Sequence, residues 1–439
     1  MLPAPFIRQM QDLLGAAYPE FEAALSSAPP VSIRLHPVKA NPPSAIPNPP
    51  SALPIPWHPL GYYLSERPAF TFDPYWHAGA YYVQEASSMF LYEALRRATD
   101  LPPRPRILDL CAAPGGKSTL LSAFIGSEGL LVSNEYVRAR VGILRENLER
   151  WGVPNIAVTH TDAAAFSRLA GWFDVVAVDA PCSGEGLFRK DPDAMREWSP
   201  KAVEHCAMRQ QEILQGAVQA LAPGGVLLYS TCTYNLQENE ENVRWLCKRY
   251  ALSPVSLEIP AEWCIESNEW GFRFFPHKLA GEGFFISVLR KPAGPTARCA
   301  KPAGFQFLQA VPKNQIPALT PWVSDSDAWR FYRTPREEIV ALPAALADDF
   351  LTLDPVCNAK WFGVPLGTFK GKDFVPDHAL ALSLARSSAL PMADLDREQA
   401  LQFLRKEHFE LPAGGPSGWL LAGFGGLALG WIKVMPNRM

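Results

Sequence analysis

The segment LDLCAAPGGKS (108–118) sets Gly115 and Gly116 just ahead of Lys117, where a strand is expected to turn into a helix. Adjacent glycines let backbone approach a ligand closely, and the free N–H groups of a helix start can face it, so such a turn suits a nucleotide or a related cofactor. The spacing is neither GxGxxG nor GxxxxGK[ST], which disfavours both a nicotinamide dinucleotide and ATP. Two glycines alone also describe an ordinary strand–helix connection. Two acids add to the ligand reading. Glu135 closes the next strand, at the separation from the glycines where a carboxylate can take both hydroxyls of a ribose, and Asp162 closes the one after. Each acid alone reads equally well as a helix cap or a solvated loop residue; their ordered series along one sheet edge is what points to a site.

Two further strands end in DAPCSGEG (179–186) and STCTYN (230–235), placing Cys182 and Cys232 at that same edge, beside Asp179. A buried cysteine is usually a small hydrophobe, and Cys206, Cys247, Cys264, Cys299 and Cys357 are read so. Cys111 lies in the glycine turn and reads as a cofactor contact. Cys182 and Cys232, at strand ends next to a carboxylate and a cofactor turn, are candidate nucleophiles or acid–base groups. No CxxC pair occurs among the eight cysteines, which argues against a zinc cluster or a secreted disulfide framework, and no metal is expected.

The elements that must carry these residues alternate as in a parallel α/β sheet. Strands are expected at 106–111, 130–136, 155–162, 174–181 and 226–233, and helices at about 117–126, 137–151 and 200–221. The last helix starts at Ser199-Pro200, a cap followed by proline in the first turn, and stops at 222–225. Ahead of them, residues 6–25 carry apolar side chains at helical spacing, 32–39 read as extended, and the eight prolines between Asn41 and Leu60 predict a surface loop. Beyond them, KPAGPTARCAKPAG (291–304) has a linker's composition, and 360–439 alternate strand-like pieces with a helix near 397–409. The division expected is an N-terminal extension over 1–100, a catalytic core over 101–292, a linker and small intermediate domain over 293–360, and a C-terminal domain over 361–439.

The whole chain fits this division. Its 439 residues suggest two or three domains at about 150 each. With 48% hydrophobic and 19% charged residues it is neither disordered nor fibrous. No apolar run approaches the roughly 20 residues of a membrane helix and the N-terminus lacks a signal-peptide layout, so no membrane partner and a cytoplasmic location are expected. A net charge of −3 does not advertise a nucleic-acid partner, so any such surface must be local.

Residues 32–290 resemble the Nol/Nop/Sun family of RNA cytosine-5 methyltransferases. The resemblance rests on HAGAYYVQEASSM (77–89), CAAPGGKS (111–118), DAPCSGEG (179–186) with FRKDP (188–192), STCTYN (230–235) and RFFPHKLAGEGFF (273–285), in that order. Within that family the two ends of the chain are most similar to the bacterial small-subunit ribosomal RNA methyltransferase F group. HALALS (378–383) and GWLLAGFGGLALGWIK (418–433) carry the looser match to that group's PUA-like RNA-binding domain. Members usually continue with a basic tail where this chain stops at Asn437-Arg438-Met439, which leaves open a truncated appendage. The resemblance implies an α/β fold, a Rossmann-like methyltransferase core with an N-terminal α/β extension and a C-terminal PUA-like domain. It implies S-adenosyl-L-methionine as cofactor, held by Cys111, Ala112, Ala113, Pro114, Gly115, Gly116 and Lys117, with its ribose on Glu135, its adenine near Asp162 and Asp179 at its methionine end.

The resemblance also assigns roles. Cys232 adds to carbon 6 of the cytosine, Cys182 serves product release, and Asp179 contacts the pyrimidine's nitrogen 3 and amino group. Lys190 is a weaker candidate, equally well a solvated lysine. His277 and Lys278 are candidate neighbours of Cys232, and the aromatic and basic residues Trp57, Tyr62, Tyr63, Arg67, Phe70, Tyr75, Trp76, Tyr81 and Tyr82 either stack on unpaired bases or pack the N-terminal region onto the core. The partner expected is RNA, as small-subunit rRNA or the assembling small ribosomal subunit, met by a monomer. A transfer RNA substrate, or a ribosome-assembly factor without catalysis, is the alternative.

Overall fold

The computed structural model describes residues 2–40, 52–295, 307–357, 359–411 and 417–435. Most of the proline stretch (41–51), most of the expected linker (296–306) and the last four residues lie outside them.

The alternating apolar runs form one large sheet. Its central strands are β1 (Arg106–Asp109), β2 (Leu130–Asn134), β3 (Ile156–Thr159), β4 (Phe173–Asp179) and β5 (Leu221–Thr231), followed by β6 (Gly271–Phe274), β7 (Phe284–Arg290) and β8 (Ala359–Phe362). The strand order is β6-β7-β5-β4-β1-β2-β3-β8, with a short hairpin strand, Glu266–Asn268, outside β6. The five central strands are parallel, and β7 and β8 run antiparallel to β5 and β3. Both faces are covered, as a parallel sheet requires. Ile107, Leu131 and Val175 enter the apolar core on one face, and Leu108, Val132 and Val176 enter that on the other. Helices α1 (Gly116–Ile125), α2 (Arg138–Trp151) and α3 (Pro200–Ala220) make the crossovers. Successive strands are added on one side of β1 and then on the other, so a crevice opens at the carboxyl ends of β1 and β4, the switch point where such sheets bind ligands.

The local signals explain the element ends. Ser199 caps α3 by accepting from the Ala202 N–H, and Pro200 fills the first turn. The 222–225 segment stops that helix as expected, yet it sits inside the span of β5. The β4–β5 register jumps from Phe173↔Leu221 to Val175↔Val226, so these residues bulge out of the ladder. Strands β2, β3 and β5 stop short of the expected ends, which leaves Glu135, Asp162 and Cys232 on the loops beyond them.

After two N-terminal helices, Ala4–Leu14 and Tyr18–Leu25, the strands Val31–Leu35, Leu53–Pro54, Gly61–Leu64 and Tyr81–Val83 form a four-stranded antiparallel sheet. A five-stranded antiparallel sheet has its strands between Gln309 and Pro376, and a three-stranded mixed sheet has its strands between Met392 and Val434. The boundary expected at 360/361 falls between the third and fourth strands of the five-stranded sheet, and Ala359–Phe362 joins the edge of the core sheet beside β3. Among the described residues no helix is long and apolar enough to cross a membrane.

Candidate active site

The glycine turn is built by a strand that ends early and a backbone only glycine adopts readily. After Asp109 the chain leaves the sheet, and Gly115 takes a φ of +112° just before α1 begins at Gly116. The Ala112 N–H donates to the Asn134 carbonyl and the Ala113 N–H to Glu135 Oε2 (3.2 Å), so the turn is strapped to the end of β2. Glu135 Oε1 accepts from the Val137 N–H (2.8 Å), and Arg140 donates to the Ala113 carbonyl (2.6 Å). Asp162 does what a lone acid would do, capping the turn at 163–169 through the Ala164 N–H (2.8 Å), yet it also faces the crevice.

The crevice is a cavity of about 820 Å³ whose walls include Cys111, Ala113, Glu135, Asp162, Asp179, Cys182 and Cys232. Residues that stand 50 positions apart in sequence meet there: Cys182 Sγ and Cys232 Sγ lie 3.0 Å apart as free thiols. Asp179 is fixed from two sides, accepting from Ser230 Oγ (2.8 Å) and pairing with Lys117 Nζ (2.7 Å).

Electrostatics follow from this packing. The hydrogen bond with Cys232, then burial, raises the Cys182 thiol well above its ordinary range, so its proton is tightly held. Burial, then the Asp109, Asp179 and Glu135 carboxylates, does the same to Cys111, which suits a contact residue and not a nucleophile. Burial opposes the charge on Lys117, but the Asp179 carboxylate outweighs it and holds the ammonium above its usual range, with Cys232 among the groups acting on it.

Several site residues were not legible as such. Asp109, fully buried, accepts from Ser118 Oγ (2.6 Å), and burial pushes its carboxyl up to about 7. Asn134 ties three strand ends together, donating to the Leu110 and Thr161 carbonyls and accepting from Thr159 Oγ1. Glu185 receives hydrogen bonds from Gln9, Trp198, Asn235 and the Tyr234 and Asn235 N–H groups, while Glu238 receives them from Ser183 N, Gln210 and Asn235. These two buried carboxylates lock the Cys182 loop against the Cys232 loop. Glu185 was visible only as part of the DAPCSGEG text, and its role needed the distant partners.

Some expected residues fall elsewhere. Lys190 is not on the cavity wall; it pairs with Glu282 (3.2 Å), as does Arg189 (3.1 Å). Neither His277 nor Lys278 lines the cavity: His277 packs against Phe21 and Phe275, and Lys278 pairs with Glu266. None of the nine aromatic and basic residues of 57–82 lines it either. Trp57 is buried against Phe274 and Trp263, and Tyr75 packs on Phe424, so the packing reading holds for these.

A methyl-sulfonium nucleoside fits what is present. The Glu135 carboxylate lines the wall as an acceptor for a diol, the Gly115–Gly116 turn admits close backbone approach, and Asp109 Oδ1 is a buried acceptor without a partner in the described residues. Four acids, Glu135, Asp162, Asp179 and Glu212, face Arg140 and Arg209, a balance that favours a cationic ligand centre. No group of three or more His, Cys, Asp or Glu side chains is arranged to hold a metal among the described residues.

Residues 98–290 match the family described as 16S rRNA methyltransferase RsmB/F, 2–86 match the N-terminal domain of 16S rRNA methyltransferase RsmF, and 392–439 match the methyltransferase RsmF PUA domain. A ribosomal RNA small subunit methyltransferase F of Cronobacter sakazakii is 39% identical over 66% of this chain and 64% of its own. One of Erwinia tasmaniensis is 32% identical over 100% of this chain and 95% of its own. Among solved structures, a methyltransferase homologue from Pyrococcus horikoshii is 26% identical, with a TM-score of 0.57 over 65% of this chain and 94% of that one. NSun6 from the same organism, solved with SFG, shares the fold at a TM-score of 0.58 and 21% identity, over 66% and 99%.

Proposed function

Because the chain belongs to the ribosomal RNA small subunit methyltransferase F family and uses S-adenosylmethionine, we propose that it methylates carbon 5 of a cytosine in small-subunit ribosomal RNA. The observation that carries this reading is the meeting of Cys182 and Cys232 at 3.0 Å beside the Lys117–Asp179 pair.

Carbon 5 of cytosine is a poor nucleophile. Addition of the Cys232 thiolate to carbon 6 turns the ring into an electron-rich enamine at carbon 5, which is why a thiol is needed at all. S-adenosylmethionine supplies an electrophilic methyl group. Lys117 lends positive charge to the region where the thiolate must form. Asp179, held by Lys117 and Ser230, accepts from the cytosine amino group, where uracil would present a second acceptor and be disfavoured. The carbon 5 proton then leaves to Cys182 once that thiol has given its own proton to solvent, or to a water held beside it, and the electron pair left behind expels Cys232 from carbon 6 as a thiolate. Glu135, Asp162 and the 111–117 turn orient the donor. The base must leave its stack to enter the cavity, at a cost of a few kcal/mol that is smallest in loops and junctions.

The test is methylation of small-subunit rRNA and of assembled subunits by the purified chain, with bisulfite sequencing of the product. The reading predicts 5-methylcytosine in rRNA, none in transfer RNA, and none with Cys232→Ala, which still binds the cofactor in calorimetry. A methyl group on any other atom would overturn it.

A further inference from the structure

Next to the reactive cavity lies a second one of about 760 Å³, walled on one side by the start of α2 and the end of β3, and on the other by the 334–340 and 359–365 segments. Its charge is opposite in kind. The reactive cavity carries four acids against two arginines, so an RNA phosphate brought there meets like charge. The second is lined by Arg138, Arg145, Arg336 and Lys360, and Glu338 is the sole acid among its described lining residues. Arg145 is already paired with Glu149 (2.5 Å). Arg138, Arg336 and Lys360 sit at exposed positions, and Arg138 and Arg336 form no ion pair among the described residues. In a chain of net charge −3, this is a local concentration of cations.

The two cavities adjoin. Val137 lines one and Arg138 the other, and His160, on the wall of the second, lies 3.0 Å through Nδ1 from the carbonyl of Glu135, on the wall of the first. The shared wall lies at the Glu135 end, which the cofactor reading gives to the donor's ribose. An RNA with one nucleotide turned in at Cys232 would therefore meet the basic cavity through flanking phosphates and not through that nucleotide's own, and Trp361 adds an aromatic wall. We infer that the cavity between α2 and the five-stranded sheet is a binding site for the phosphodiester backbone of the substrate RNA beside the target nucleotide. It divides the labour: the acidic cavity takes the base and the donor, and the basic one takes the backbone. This inference rests on the RNA-methylating reading above.

The test compares the full-length chain with Arg138→Glu and Arg336→Glu, made singly, and with Lys248→Glu on the helix Glu240–Tyr250 as a control of equal charge change. Binding of a small-subunit rRNA fragment is measured across a salt series, with cofactor binding by calorimetry. Each arginine variant is expected to raise the RNA Kd about tenfold and to lower the slope of log Kd against log salt by about 0.7 for the lost contact. Lys248→Glu should do neither, cofactor affinity should stay unchanged throughout, and Arg138→Lys should restore most of the binding. If wild-type protein methylates RNA but both arginine variants match the control within twofold, the site assignment fails and the functional reading stands. An equal loss in the control would overturn it as non-specific charge, and a wild-type chain that neither binds nor methylates RNA would sink both.

Discussion

At the scale of single residues, the chemistry depends on groups whose protonation the fold dictates. Asp109 is the clearest case. It is fully buried, and its carboxyl is raised from the ordinary value of 3.8 to about 7 by burial, against the Ser118 hydrogen bond. A raised carboxyl keeps its proton in the folded chain where the unfolded chain has lost it, so the associated stability is complete below the unfolded value and is lost as pH climbs through the folded one. Wild-type stability should therefore fall between about pH 4 and pH 7 by a component that Asp109→Asn removes, because the amide mimics the neutral acid. Thermal denaturation across that range checks it; parallel pH profiles for the two proteins would contradict it. Cys182 likewise holds its proton tightly, through its hydrogen bond with Cys232 and then burial.

At the scale of elements, the site depends on two loops after β4 and β5 being held together. Glu185 is fully buried and accepts five hydrogen bonds from Gln9, Trp198, Asn235 and two backbone N–H groups. Glu185→Ala would leave those donors buried without an acceptor, and a loss of roughly 3 kcal/mol is expected in urea denaturation, with turnover lost alongside. A loss below about 1 kcal/mol would mean the carboxylate is not the clasp. This element also shows where sequence reading stops. Strands β1 to β5, the Ser199 cap and the glycine turn were legible because their signals are local: apolar runs, a serine–proline start, paired glycines. Glu185 was not, because its partners lie as far away as Gln9. Nor was the partner of Ala359–Phe362, a strand-like piece in the sequence whose pairing with Ile156–Thr159 crosses some 200 residues. The partner of Lys190 was not legible either, because a cation in a matching motif says nothing about Glu282, with which it pairs.

At the scale of the whole molecule, three regions converge at the end of α2. Gly79, at φ +75°, lies so close to the Arg150 carbonyl that a Cβ would clash with it, and Lys39 Nζ donates to the Ala78 (3.0 Å) and Arg150 (2.7 Å) carbonyls. From the C-terminal side, Leu384 N and Ser383 Oγ donate to the Gly152 carbonyl. Burial, then the nearby Arg386 and Arg150 charges, lowers the Lys39 ammonium from 10.5 to about 7. A depressed amine favours the neutral form in the folded chain, so stability should rise with pH between about 7 and 10.5. Lys39→Met should flatten that rise in denaturation measured across the range, and an unchanged slope would place the titration elsewhere. The junction fixes the N-terminal sheet and the 378–384 segment against the core, so that surfaces far apart in sequence are held together.

The central claim, that Cys232 bonds to the target cytosine and Cys182 releases it, is tested most directly by incubating Cys182→Ala with substrate RNA and S-adenosylmethionine and resolving the products under denaturing conditions. The account predicts a stable protein–RNA adduct whose peptide mass maps to Cys232, absent from the Cys182→Ala/Cys232→Ala double variant. No adduct, together with undiminished methylation by Cys232→Ala, would contradict it.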